Sequence, residues 1–143
     1  WTDMTSEVIK KLSEAALDVR KKAYCPYSGF AVGAALLAKS GEIYTGVNIE
    51  NAAFTPTNCA ERTAFFKAVS EGEREFEAIC IIGGKNGVAS GVTAPCGVCR
   101  QVMREFCNQS TFRIILPDGA DSYQEFLLEE LFPLSFGPEN LLD

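Results

Sequence analysis

Two short stretches hold the residues whose types and spacing can do chemistry: "TNCAER", residues 57–62, and "APCGVCR", residues 94–100. The first sets Cys59 two residues before Glu61, and the second sets Cys96 three residues before Cys99. The chain has no histidine. That absence removes Ser-His and Cys-His nucleophile pairs, histidine general bases and every metal site that contains histidine. Sulfur is left with metal ligation or dithiol redox chemistry.

Both stretches fall where a helix is expected to begin. Proline costs nothing in a first helical turn, so Pro95 predicts a helix that places Cys96 and Cys99 on one face of that turn. Unpaired amides and the helix dipole stabilise thiolates there. Cys59 takes the equivalent place on a helix predicted over residues 58–70. Two helix starts can therefore bring three sulfurs to one point. Three thiolates without an obvious fourth ligand make the open pattern of a catalytic zinc, with water in the vacant position. Zinc lowers the pKa of such a water from about 16 to about 7 in favourable sites. Three thiolates also leave a net negative cluster, which Arg62, Arg100 and the helix dipoles would offset. Glu61 lies near enough to reach the water without being a ligand, and a carboxylate there can carry protons.

Plainer readings stand beside these. Asn58-x-x-Glu61 matches a helix-capping box, and Cys96-x-x-Cys99 alone matches a redox dithiol in a noncatalytic protein. Cys80, inside "AICII", reads as a small buried hydrophobe. Cys25 and Cys107 have no evident partner, and either can complete a structural zinc site or a disulfide.

The elements that must position these residues follow from periodicity. Residues 5–22 carry Val8, Ile9, Leu12, Ala15, Ala16 and Val19 at helical intervals between charges. "FAVGAALLA" and "EIYTGVNI" flank the turn signal in "KSGE", which predicts an antiparallel hairpin buried through Val32, Leu36, Ile43 and Val47. "FEAICIIGG" and "FRIIL" read as strands covered on both faces. "SYQEFLLEEL" reads as an amphipathic helix after the "PDG" turn, before the Pro133 and Pro138 tail. A hairpin followed by alternating helices and strands implies a mixed sheet with helices on both faces.

At 143 residues and 47% hydrophobic content, the chain suits one domain, residues 1–143, with a real core. Trp1–Met4 precede the first periodic segment and stay outside this argument. The 13 basic residues against 19 acidic ones give a charge of -6 with no basic stripe, so a nucleic-acid polymer is not the expected partner. No apolar run reaches the roughly 20 residues of a membrane span, and no signal pattern opens the chain, so a cytoplasmic protein without membrane partners is expected.

The combination Cys-x-Glu followed by Pro-Cys-x-x-Cys is the signature of zinc nucleobase deaminases. With "YCPYSGFAVGAALL", "TGVNIENAAF", "CAERTAF", "APCGVCRQVMREF" and "LFPLSFGPENL", the chain resembles the cytidine deaminase family in its small, all-cysteine zinc form, from about residue 8 to about 141. The resemblance implies an α/β fold, a three-layer α/β/α arrangement around a mixed five-stranded sheet, and a homotetramer with active sites shared between subunits. It also implies one zinc per chain and hydrolytic deamination of cytidine and deoxycytidine in pyrimidine salvage. Carried over by position, Cys59, Cys96 and Cys99 correspond to the zinc ligands and Glu61 to the proton shuttle. Asn48 and Glu50 correspond to residues that hold the ribose, and Phe30 to the wall beside the base. Ala60 would offer its backbone to the pyrimidine edge, Arg62 would bond to the ligand sulfurs, and Phe136 would enter a neighbouring subunit's pocket. Without the resemblance, Phe30 reads equally as core and Phe136 as a tail anchor. Phe54 departs from the tyrosine frequent after "NIENA". Another aminopyrimidine nucleoside, such as blasticidin S, is the nearest alternative substrate.

Overall fold

The computed structural model describes residues 5–85, 89, 91–119 and 121–142; Trp1–Met4 lie outside them. Helix α1 (Ser6–Val19) starts where the Thr5 hydroxyl accepts the Val8 amide, and it ends in a 3-10 turn, Arg20–Lys22. Strands β1 (Phe30–Ala38) and β2 (Ile43–Val47) form the expected hairpin. Then follow α2 (Ala60–Ser70), β3 (Phe76–Lys85), α3 (Gly97–Phe106), β4 (Arg113–Pro117), β5 (Tyr123–Leu127), the single turn α4 (Leu128–Leu131) and a last 3-10 turn, Pro138–Asn140. The sheet runs β2-β1-β3-β4-β5. Its β3–β4 pair is parallel, joined through α3, and its other neighbours are antiparallel.

Alternation along the central strands sorts the core into two layers. Ala35, Leu37, Ala78, Cys80 and Ile115 face α1, where they meet Ile9, Leu12 and Ala16. Their neighbours Ala34, Leu36, Ile79, Ile81, Ile114 and Leu116 face the other way, onto Ala60, Ala64, Phe65, Ala68, Cys99 and Met103 of α2 and α3. The three-layer α/β/α arrangement therefore rests on a period of two. Phe65 is fully buried, with ring centroids 5.1 Å from Phe76, 6.2 Å from Phe106 and 6.1 Å from Phe112. Cutting it to alanine would cost about 3–5 kcal/mol. Of the four hairpin positions expected to be buried, Leu36 is fully so, while Val32, Ile43 and Val47 are partly exposed.

Residues 122–131 correct the sequence reading. The helix expected there begins only at Leu128, because residues 123–127 pair with β4 in a register that sets Ile114 opposite Phe126 and Arg113 opposite Leu127. An Arg113–Glu125 ion pair at 2.9 Å spans the two strands. The single turn of α4 starts where the Glu130 carboxylate accepts the Leu127 amide at 2.8 Å. Leu127, Leu128 and Leu131 suit either period, and the exposed sheet edge beside β4 decided between them.

One glycine fixes how closely α2 approaches the sheet. A Cβ at Gly46 on β2 would lie 2.4 Å from the Ala60 carbonyl oxygen and 2.5 Å from the Ala64 nitrogen. The first turn of α2 rests directly on that backbone. No helix among the described residues is long and apolar enough to cross a membrane.

Candidate zinc centre and active site

Helices α2 and α3 each start one residue after a cysteine. Cys59 and Cys96 are their N-caps, in extended conformation, and neither side chain caps its helix. Both helices start later than the sequence suggests, by about two residues. Cys59 and Cys96 thus flank the free amides of the first turns instead of lying inside them. Cys99 lies in the first turn of α3 and is fully buried. The Cys59 and Cys96 sulfurs are 3.8 Å apart, those of Cys96 and Cys99 3.5 Å apart, and all three lie within 4.8 Å of one another. Tetrahedral zinc with bonds of about 2.3 Å separates its sulfurs by about 3.8 Å, so these donors fit the metal in kind and in spacing. All six cysteines are free thiols, and neither Cys25 nor Cys107 belongs to the cluster.

The electrostatics favour a thiolate at Cys59. A hydrogen bond from the Cys99 thiol, together with the Arg62 guanidinium, holds Cys59 below the ordinary thiol range, and the same hydrogen bond pushes Cys99 up. Arg62 donates from Nη2 to the Cys59 sulfur at 3.2 Å. Arg100, expected to share the charge balance, instead donates from Nε to the Pro95 carbonyl at 2.8 Å and from Nη1 to the Leu131 carbonyl. It braces the start of α3 against α4.

Glu61 is 5% exposed. Burial pushes its carboxyl up to about 7, and the negative Cys59 adds to the shift, while its own amide, Cys99 and Arg62 act against it. The capping alternative does not describe this residue: the N-cap is Cys59, and the Asn58 amide donates to the Thr63 hydroxyl at 3.0 Å. That hydroxyl donates on to the Val47 carbonyl at 3.0 Å, tying α2 to the end of β2.

The remaining expected positions lie in the loops that lead here. Ile49 and Asn58 exchange backbone hydrogen bonds at 2.9 Å, closing the 49–58 loop immediately before Cys59. At its entrance, Asn48 accepts the Val32 amide at 2.9 Å and donates to the Phe30 carbonyl at 2.8 Å. Glu50 accepts the Tyr27 and Ser28 amides at 2.9 and 3.2 Å and the Ser28 hydroxyl at 2.5 Å. The hydroxyl above all, then the two amides, keeps its carboxyl below the usual range. Each side chain is thus held in place and keeps hydrogen-bonding capacity unused by these contacts. Phe30, half-buried, opens β1; Ala60 is fully buried at the start of α2. Phe136 is 58% exposed, so it is not a tail anchor. Phe54 is 71% exposed at a φ of 62°, edge-on to Tyr27 with centroids 6.4 Å apart.

Two features escaped the sequence reading. The 27–28 amides that grip Glu50 were signalled only by the Pro26–Gly29 turn. Arg104, 6% exposed at the end of α3, was hidden among ordinary helix-surface charges. A separate cavity of about 490 Å³, lined by Ile9, Ser13 and Leu17 of α1 and by Ile82, Pro117 and Tyr123, lies near the face of the sheet opposite α2 and α3.

Comparison with known proteins agrees with this geometry. The family described as the cytidine and deoxycytidylate deaminase zinc-binding region matches residues 6–114. A cytidine deaminase of Sporosarcina psychrophila is 48% identical over 133 residues, 93% of this chain and 94% of that protein. One from Halalkalibacterium halodurans is 46% identical over 132 residues, covering 92% and 96%. The crystal structure of cytidine deaminase from Burkholderia pseudomallei superposes with a TM-score of 0.80 at 42% identity, covering 93% of this chain and 100% of that one. With its three sulfurs at zinc spacing beside a buried carboxyl, and with these relatives along nearly its whole length, the chain belongs to the cytidine and deoxycytidylate deaminase family.

Proposed function

We propose that this protein hydrolyses cytidine and deoxycytidine to uridine and deoxyuridine, releasing ammonia. The observation that carries this reading is the placement of Cys59, Cys96 and Cys99 at tetrahedral spacing beside Glu61. Zinc held by these three thiolates would supply Lewis acidity and a water made acidic enough to attack at neutral pH.

The chain's own residues do the rest. Glu61, its carboxyl raised by burial, takes one proton from the attacking water and hands it to the ring nitrogen beside the reacting carbon, then takes the remaining proton from the new hydroxyl on that carbon and gives it to the departing amine. A carboxyl with an ordinary pKa would accept that proton less readily. Arg62 steadies the negative sulfurs through Cys59. Asn48 and Glu50, locked by backbone contacts, bind the ribose hydroxyls and fix the sugar, so that the base meets its reactants in one orientation. Phe30 bounds the base, and the backbone of Ala60 reads the pyrimidine edge. The -6 charge favours a free nucleoside over a polynucleotide.

By the same reading, residues 1–143 are one domain, the protein works in cytoplasmic pyrimidine salvage, and it assembles as a homotetramer in which Phe136 enters a neighbour's pocket. Zinc content measured alongside cytidine turnover tests the function. The expected result is about one zinc per chain and loss of cytidine absorbance, with Glu61→Gln keeping the metal and losing roughly 10³-fold in kcat. Unchanged cytidine absorbance with the wild-type, zinc-loaded protein would sink the assignment.

A further inference from the structure

Arg104 is a buried cation that the chemistry described so far does not use. It sits in the last turn of α3, five residues beyond Cys99, and is 6% exposed. Its Nε donates to the Ser135 hydroxyl at 2.7 Å, and its Nη2 pairs with the Glu139 carboxylate. Between those contacts, Gly137 lies directly against the guanidinium: a Cβ there would be 2.4 Å from Cζ and 2.5 Å from Nη1. One turn earlier on α3, the Gln101 amide donates to the Phe136 carbonyl at 2.9 Å. Two side chains of one helix thus grip Ser135, Phe136, Gly137 and Glu139.

The grip is polar, falling on a hydroxyl, a backbone carbonyl and a carboxylate, and it leaves the apolar side chains outside. Phe136 is 58% exposed, and Leu134 is fully exposed with a φ of 52°. A tail held by hydrophobic burial would turn Phe136 inward. Here a rigid helix holds the segment in one shape with the ring outward. The same helix begins at the thiol cluster, so the tail and the candidate metal centre are joined through α3.

We propose that Arg104, assisted by Gln101, is a positioning residue that fixes the Ser135–Glu139 turn and so presents Phe136 to the substrate pocket of a second copy of this chain. This rests on the reading of Phe136 as a shared pocket wall. Phe136 would touch the base in the ground state and the transition state alike, so loosening it weakens binding without slowing chemistry.

Steady-state kinetics on cytidine with zinc-loaded protein test this. Arg104→Met should raise KM about five- to tenfold, with kcat changed less than about twofold and zinc still at about one per chain. Arg104→Lys, which keeps the charge and loses the fork, should fall between. In a Phe136→Ala background, Arg104→Met should raise KM no further, because its effect passes through the ring. If Arg104→Met does not fold, Gly137→Ala gives the same test by pushing the turn off the guanidinium, and the same rise in KM is expected. A rise in KM for Phe136→Ala with none for Arg104→Met or Gly137→Ala overturns the positioning role. A full further rise in the double variant also overturns it. An unchanged KM for Phe136→Ala identifies the shared-pocket reading as the part that failed.

Discussion

Glu61 and Cys80 are both buried acids, and burial moves both in the same direction with opposite chemical consequences. The carboxyl starts near 4.5 and is pushed up to about 7, where it exchanges protons at neutral pH. The thiol starts near 9 and is pushed up to about 12, with only a 3.7 Å contact to the Ser13 hydroxyl opposing the shift. Cys80 is therefore a neutral filler between the sheet and α1. Cys59 shows the third outcome, since a sulfhydryl donor and a guanidinium overcome its partial burial. What a buried acid becomes depends on where it starts and on whether donors face it. Helix starts supply such donors and strand interiors use theirs in the ladder.

The contrast can be broken most sharply at the cluster. Cys99→Ala should remove the tight zinc site and lower turnover by at least roughly 10⁴-fold, read by metal analysis and cytidine absorbance. Full zinc retention would separate Cys99 from the metal. Next comes the raised carboxyl. In metal-free protein, folding takes up protons on Glu61 between about pH 4.5 and about 7, so stability is greatest below that window and falls as pH rises through it. Glu61→Gln removes the ionisation, and urea unfolding at pH 8 should find the metal-free variant more stable by roughly 3 kcal/mol, an advantage that vanishes near pH 4. An equal gain at both pH values would show that titration is not the cause. The smallest effect belongs to Cys80→Ala, which should cost about 1 kcal/mol in unfolding and leave zinc content and kcat/KM unchanged.

How much of this was legible depended on where the determining interactions lie. The strands at 30–47, 76–85 and 113–117 declare themselves because their burial alternates or is continuous within the segment. Residues 123–127 do not, since their conformation depends on a partner edge at β4 that no local period encodes. The spacing of the three cysteines could be read, but their approach to within 4.8 Å needs the helix starts of α2 and α3 to face each other across the fold. Arg104 was illegible for a related reason. A helix-surface arginine becomes a buried one only when residues 135–139 return over it.

Gly46 shows how narrow the tolerance for a metal site is. An alanine there would press its methyl carbon to 2.4 Å from the Ala60 carbonyl, well inside ordinary contact, and the first turn of α2 would have to lift. Cys59 is the residue immediately before that turn, so the lift would be passed to a sulfur whose distance from its neighbour is 3.8 Å. Position 46 carries no functional group. A single hydrogen atom there sets the bite of the thiol cluster, so a search for metal-affinity determinants confined to ligands and their hydrogen-bond partners would pass it by.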